Sequence, residues 1–128
     1  MAIARDTTAK NIKPLTGAKI RRFTCGDTVA AGEICEMQSD GKMDPAIATA
    51  VVLNLLGIAL QAGGDGEVVD FVMHGPVQCL TGASPGKPVY VSDIAGEPSE
   101  TAGTKDTIVG HSESATVLFV DPQIIDFS

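Results

Sequence analysis

The sequence predicts an all-β fold: a small β-barrel or β-tulip-like domain that carries an extended N-terminal arm. The 128 residues include 14 glycines and 7 prolines, and this excess suits many short strands joined by tight turns. Aromatic residues make up 4% of the chain and tryptophan is absent, so alanine, valine and isoleucine are expected to fill the core. The length fits a single domain.

A second observation that predicts a β fold is an internal repeat marked by glycines. Three pairs of glycines recur at separations of 53 to 55 positions, and they are Gly32 and Gly86, Gly41 and Gly96, and Gly57 and Gly110. β-branched residues adjoin them in both copies. We therefore interpret residues 30–59 and 84–112 as two copies of one strand–turn–strand unit.

Runs of β-branched and aromatic residues between turn residues predict seven short strands. They cover residues 18–24, 32–37, 67–73, 77–80, 89–91, 107–110 and 116–120. The predicted structural turns contain glycine at seven positions, which are Gly32, Gly41, Gly57, Gly66, Gly86, Gly96 and Gly110. Pro122 is expected to stop sheet pairing. These boundaries divide the chain into an arm over residues 1–17, a barrel domain over residues 18–122 and an apolar tail over residues 123–128.

The segment over residues 44–61 supports two interpretations. Asp44 followed by Pro45 resembles the start of a helix, and the alanines and leucines that follow favour helix. The corresponding part of the second unit, residues 97–111, is rich in glycine, proline and threonine and is a poor helix former. The symmetry of the repeat therefore favours a strand over residues 53–61 and leaves room for one short helix near residues 45–52.

The charges divide the chain into a basic arm and an acidic body. Six of the nine lysines and arginines fall within residues 1–22, whereas fifteen of the sixteen acids follow them. The six cations are Arg5, Lys10, Lys13, Lys19, Arg21 and Arg22. An acidic body repels nucleic acid, so we expect no specific nucleic-acid binding and assign these cations to contact with an acidic protein surface. A disordered tail is the alternative for the arm, and we expect the body to fold without residues 1–16.

No motif in the sequence indicates catalysis. Three cysteines lack CxxC spacing and are expected to be buried free thiols in a reducing compartment; they are Cys25, Cys35 and Cys79. His74 and His111 lack metal-ligand spacing, and a nucleophilic pair of His74 with Cys79 would need an orienting group such as Asp70. The glycine-rich residues 63–66 match neither a P-loop nor a dinucleotide fingerprint. We therefore expect no enzyme activity, no cofactor and no metal.

Two features of the sequence bear on membrane association. The first residues do not form a secretory signal, and the longest apolar run, over residues 46–60, is too short and interrupted to span a bilayer. We therefore expect no membrane association.

Several short motifs, taken in order, resemble the small capsid decoration, or cement, proteins of tailed bacteriophages. The resemblance covers roughly residues 23–122 and rests on turn glycines and strand residues. The motifs lie at Ala30–Ile34, Leu56–Ala59, Asp65–Gly75, Ser84–Val91, Val109–Gly110 and Ala115–Pro122. Residues 44–54 depart from the pattern because they are richer in alanine and leucine.

The resemblance implies a β-barrel or β-tulip body that binds the outside of an expanded icosahedral capsid. The implied partner is the major capsid protein, the implied assembly is a homotrimer, and the implied location is the capsid exterior after synthesis in the host cytoplasm. The protein would then hold neighbouring capsomers together against the pressure of packaged DNA. We assign self-association to an apolar tail whose alternative is to fold back on its own barrel; its large side chains are Ile124, Ile125 and Phe127.

Two other functions fit the sequence less well. One is a different oligomeric β-barrel structural or carbohydrate-binding protein, such as a tail component or an adhesin. The other is a trimeric β-clip nucleotide hydrolase, which would need arginine or serine contacts to phosphate, and the sequence has no arginine after Arg22.

Overall fold

The computed structural model describes residues 3–47, 55–104 and 107–124. Their helical content is one 3-10 turn over Ala9–Asn11, and their twelve strands are β1 (Ala4–Arg5), β2 (Lys13–Pro14), β3 (Lys19–Thr24), β4 (Ile34–Met37), β5 (Met43–Pro45), β6 (Leu56–Ala59), β7 (Val68–Gln78), β8 (Leu80–Thr81), β9 (Pro88–Val91), β10 (Pro98–Ser99), β11 (Thr107–Ser112) and β12 (Val117–Ile124). The predicted all-β, barrel-like class is confirmed.

One curled sheet contains most of these strands, in the order β10-β9-β11-β12-β7-β6-β4-β5. Every pairing between its named strands is antiparallel. The long strand β7 lies at the centre, and β2 and β3 also pair with it. A separate two-stranded sheet joins β1 to β8.

The strand pairing confirms the internal repeat. In the first unit β4 pairs with β5 and β6, and in the second unit β9 pairs with β10 and β11. The registers agree, because Cys35 lies opposite Gly57 in the first unit and Val89 lies opposite Gly110 in the second. The third strand of each unit then pairs with β7 or β12, and β7 pairs with β12. The strand order is therefore the same when it is read from either end of the sheet.

The glycines of the repeat have two different roles. Five of the seven predicted turn glycines have a positive φ, between 77° and 88°, which side chains rarely tolerate; they are Gly32, Gly41, Gly66, Gly86 and Gly96. The turn prediction is wrong for Gly57 and Gly110, which lie inside β6 and β11. The physical reason for glycine there is crowding, because a Cβ at Gly110 would overlap the carbonyl oxygen of Phe119.

The sheet buries a hydrophobic cluster on each of its two faces. Neighbouring residues of one strand point to opposite faces, and Ile58 and Ala59 accordingly join different clusters. The larger cluster also includes Val72, whereas the smaller one surrounds the fully buried ring of Phe71. The central strands are therefore covered on both sides.

Two predictions about strand boundaries differ from the structure. The strands expected on either side of His74 and Pro76 form one strand, β7, which stays paired across a glycine with φ of 103° at Gly75. Pairing does not stop at Pro122, because β12 continues to Ile124 along β11. A proline is tolerated there because β12 has left β7 after Val120, so one side of the strand needs no N–H donor.

The structure describes part of the segment over residues 44–61, for which the sequence supported two interpretations. β5 ends at Pro45, and the Ala46 N–H donates to the Ile34 carbonyl at 2.8 Å. The predicted strand near residues 53–61 is present as β6. The possible helix near residues 45–52 falls mostly on residues 48–54, which lie outside the described residues.

The N-terminal arm is extended, as predicted, and it packs against its own body. β1 pairs with β8, and β2 pairs with the end of β7. Between them, Ile12 is buried in the larger cluster beside Gly32. Because the arm supplies part of the core, we expect its deletion to destabilise the body, contrary to the expectation from sequence.

Candidate functional site

The six cations of the N-terminal segment occupy different environments, and Arg5 is held internally. Its Nε donates to Glu97 Oε2 at 2.8 Å, and its Nη1 donates to the Ala31 carbonyl at 3.2 Å. The side chain of Arg5 is 16% exposed, so this pair is screened less than a surface pair. Arg5 therefore holds the arm on the body, and we no longer count it among the cations that are available to a partner.

The other cations of the strands β2 and β3 line one side of β7. Lys13 of β2 lies opposite Gln78 of β7. β3 continues in the same direction along β7, from Lys19, opposite His74, to Thr24, opposite Val68 at the start of β7. Among the described residues, β3 pairs with no second strand. We call residues 13–24 the basic edge. Its four cations are Lys13, Lys19, Arg21 and Arg22.

The first four residues of β3 are exposed, although a strand inside a sheet usually buries one face. Ile20 is 44% exposed, which is unusual for isoleucine. The guanidinium carbon of Arg21 lies 5.5 Å from the centroid of the Phe23 ring, a cation–π contact. Both faces of residues 19–22 are therefore accessible, and no described strand pairs with their outer side.

Few acids oppose the basic edge. Arg22 Nε donates to Asp70 Oδ1 at 3.0 Å, but the Arg22 side chain is 70% exposed, and such pairs contribute about 1 kcal/mol or less. Four of the six cations of the N-terminal segment form no ion pair with a carboxylate of the described residues, and they are Lys10, Lys13, Lys19 and Arg21. Lys10 lies in the exposed 3-10 turn that precedes the edge.

The structure does not assemble the Cys–His nucleophile that the sequence raised. Cys79 is 1% exposed in the larger cluster, and burial, with a smaller effect of Asp6, raises its pKa to about 12. The thiol therefore stays protonated at neutral pH. His74 is exposed instead, where its ring contacts Phe119 edge-on at 5.3 Å and its Nε2 lies 4.0 Å from Asp121 Oδ1.

The other two cysteines are also buried and free, as predicted. Burial raises the pKa of the Cys25 thiol and of the Cys35 thiol, and nearby carboxylates add to both shifts. Both residues belong to the smaller cluster around Phe71. Their environments suit packing rather than nucleophilic chemistry.

A group of acids surrounds Asp44 at one end of the sheet. Burial raises the pKa of the Asp44 carboxyl, Asp27, Asp40 and Asp65 raise it further, and Lys42 opposes them. Asp44 Oδ1 is buried without a hydrogen-bond partner among the described residues. No three His, Cys, Asp or Glu residues within residues 3–47, 55–104 and 107–124 come together as a metal site. The repulsion among these acids therefore destabilises the folded state locally.

Asp44→Asn is expected to stabilise the protein at pH 7 by up to about 1 kcal/mol, because it removes a poorly solvated charge. The folded state raises the pKa of Asp44 above its ordinary value of 3.8. The contribution of Asp44 to stability is therefore fully present below about pH 4, where its carboxyl is protonated, and is lost as the pH rises through the folded pKa. Urea unfolding of both proteins at pH 7 and at pH 3.5 should show a gain at pH 7 that shrinks at pH 3.5. A gain of equal size at both values would contradict this account.

Comparison with known proteins adds no assignment. No protein-family model matches the chain, and no curated protein matches it. Among the described residues, no helix is long and apolar enough to cross a membrane.

Sequence reasoning found the cations of the site but missed its geometry. The exposure of β3 on both faces was visible only as a weak signal, since Arg21 and Arg22 are consecutive and must point to opposite faces of a strand. Nothing in the sequence indicated that Arg5 pairs with Glu97. The predicted self-association residues are not placed as a site, because Ile125 and Phe127 lie outside the described residues and only the backbone of Ile124 is described, at the end of β12.

Proposed function

We propose that this protein is a virion structural protein that binds the outer surface of an icosahedral phage capsid and cements neighbouring capsomers against internal DNA pressure. The observation that carries the proposal is the basic edge, two exposed strands with four cations on a body that is otherwise acidic. Exposed charge of one sign suits a partner surface of the opposite sign. The proposed partner is the major capsid protein, and the proposed location is the capsid exterior.

The scaffold suits a mechanical role. Both faces of the central strands are covered by hydrophobic clusters, and the arm is fastened by β1, β2 and the Arg5–Glu97 pair. A partner that pulls on the basic edge therefore pulls on the centre of the sheet through β7. Many copies on one shell would add avidity, because each weak contact is held at a high effective concentration by its neighbours.

We propose a homotrimer as the assembled form, with the apolar tail at the contact between copies. β12 runs to Ile124, which pairs with Thr107 in β11, so the described part of the chain ends beside the second repeat unit. Clustered apolar side chains such as Ile125 and Phe127 suit a contact between subunits. Native mass spectrometry of the full chain measures this assembly directly, and a monomer at all concentrations would contradict it.

Charge reversal on the basic edge is the test of capsid binding. We expect the double variant Lys13→Glu with Lys19→Glu to bind capsid shells about tenfold more weakly or worse at low salt, because both lysines are exposed and unpaired among the described residues. The difference should shrink as salt screens exposed charges. Co-sedimentation of the protein with shells that lack it measures the affinity.

The matched control reverses two lysines that lie away from the basic edge. Lys42→Glu with Lys87→Glu makes the same change in net charge, and these lysines lie between β4 and β5 and just before β9. We expect this control to bind shells like the unaltered protein. Equal losses in the two double variants, or no loss in the edge variant, would overturn the proposed binding surface.

A further inference from the structure

The outer side of β3 offers a row of backbone hydrogen-bonding groups. Directly after β3, the Cys25 N–H donates to the Glu67 carbonyl at 2.7 Å, and so it points toward the β7 side. In an antiparallel pair, backbone groups of alternate residues point to the same side. The odd-numbered residues from 21 to 25 therefore face β7. The N–H and C=O groups of Ile20, Arg22 and Thr24 point away from it.

The outward groups of Thr24 lie beside the start of β5, where Cys25 and Met43 form a parallel bridge and the Gly26 N–H donates to the Met43 carbonyl at 3.0 Å. Within the described part of the chain, no strand pairs with the outward groups of Ile20 and Arg22. β3 has six residues, and its outer side is open over the first four of them, residues 19–22, where β7 is the one strand partner among the described residues. A free edge of this length can accept a further strand. Such edges are usually hidden in stable proteins, so the exposed edge of residues 19–22 suits a partner that would cover it.

The charges around this edge select the chemistry of that partner. Arg21 contacts the ring of Phe23 on one face of β3, while Arg22 reaches Asp70 on the other. Lys19 begins the strand and is exposed. A segment that paired with β3 would thus meet cations on both of its own faces. Acidic side chains at alternate positions of that segment would be placed beside them.

We propose that β3 accepts an extended acidic segment of a protein partner as an added strand. The inference goes beyond capsid binding, because it specifies the kind of segment that pairs with β3 and holds whether or not that segment belongs to a capsid. A second copy of β3 fits poorly, since like charges would face each other across the pair. A nucleic acid offers phosphates but lacks the alternating N–H and C=O groups that the edge would pair with.

A protective role for the charges is the competing explanation. Lysine and arginine on an edge strand can serve only to prevent strand-to-strand association. In that case the edge should reject all added strands. The two explanations therefore predict opposite responses to an acidic peptide that can form a strand.

The experiment uses the full chain labelled with ¹⁵N and two capped peptides, (Thr-Glu)₄ and (Thr-Lys)₄. We expect (Thr-Glu)₄ to shift the amide resonances of Ile20 and Arg22 in a saturable way and to slow their hydrogen exchange. (Thr-Lys)₄ should leave them unchanged. An oligonucleotide of eight thymidines serves as an anion without strand-forming groups and should not protect these amides from exchange.

Two variants separate the backbone contribution from the charge. Arg22→Val and Arg22→Pro both remove the cation and its pair with Asp70, but only proline removes the outward N–H. Proline on the free side of an edge strand is tolerated because no pairing with β7 is lost. We expect Arg22→Pro to bind (Thr-Glu)₄ about tenfold more weakly than Arg22→Val.

Three results would overturn the proposal: no shift at β3 with (Thr-Glu)₄, equal responses to both peptides, or equal affinities of the two folded variants. If Arg22→Pro does not fold, the pair Ile20→Pro and Ile20→Val makes the same comparison without a change in charge. The peptide comparison on the unaltered protein tests the proposal whether or not the proline variants fold. None of these measurements uses a capsid shell, so failure here is distinct from failure of the proposed capsid binding.

Discussion

Gly110→Ala is expected to lower the free energy of unfolding by about 3 kcal/mol or more. Gly110 lies within β11 opposite Val120 of β12, and a Cβ there would overlap the carbonyl oxygen of Phe119. The obstacle is backbone in a paired strand, so no rotamer change can relieve the overlap. β11 and β12 would have to separate, and their pairing joins the second repeat unit to the centre of the sheet. Urea unfolding followed by circular dichroism measures the loss.

Gly57→Ala is the matched control, because Gly57 holds the equivalent position in the first unit. A Cβ at Gly57 would lie 2.5 Å from Met73 Sδ, the far part of a flexible side chain. Methionine can move away at small cost, and the loss of glycine flexibility in the unfolded chain offsets part of that cost. We expect a change of about 1 kcal/mol or less. If the two variants are equally destabilised, the explanation from backbone crowding is wrong.

Ile12→Ala is expected to lower the free energy of unfolding by about 2–4 kcal/mol, the usual cost of truncating a buried isoleucine. Ile12 is 7% exposed and packs in the larger cluster. It is the buried apolar side chain between β1 and β2, so its truncation should also release the arm locally. Hydrogen exchange of the amides in residues 4–14 should accelerate more than that of β7 in the same variant.

Ile20→Ala is the control for this prediction, since it makes the same substitution at a residue that is 44% exposed. Little apolar area is lost from the core there, so the expected change is within about 0.5 kcal/mol or slightly above. An arm that is a solvated tail would make the two substitutions equally harmless. That outcome would contradict the docked arm seen in the structure.

The internal repeat shows how far local patterns can predict this fold. Turn glycines such as Gly41 and Gly96 have recognisable neighbours, and their constant spacing predicted the strand pairing of both units. The same spacing predicted turns at Gly57 and Gly110, where strands were found. A glycine required by a turn and a glycine required by a close neighbour look alike in sequence, because the neighbour comes from a distant part of the chain.

The ends of the barrel domain illustrate a second limit. Pro122 was expected to end the sheet, but a proline interrupts pairing only on the side where its N–H would have been used. The structure pairs β12 with β11 at that point and leaves its other side free of β7. Which side is free depends on where β7 diverges. That divergence is a property of the whole sheet.

The candidate site likewise combines features that the sequence predicted with features that only the structure shows. The cluster of cations in residues 1–22 was evident from sequence, as was the acidic body. The pairing of Arg5 with Glu97 joins residues 92 positions apart, and no local pattern connects them. It was likewise the topology that made β3 an edge strand beside β7, because an edge is defined by the strands that are absent from one side.

By itself, the sequence determined the all-β class, the two-unit repeat, the division of charge and the burial of the three free cysteines. These properties follow from side-chain chemistry and from spacing along a strand, which are local. The tertiary structure alone decided that the arm packs on the body, that Gly57 and Gly110 serve close packing, and that the basic edge is open. Each of these depends on contacts between residues far apart in the chain, and their energies are set by three-dimensional proximity rather than by local sequence.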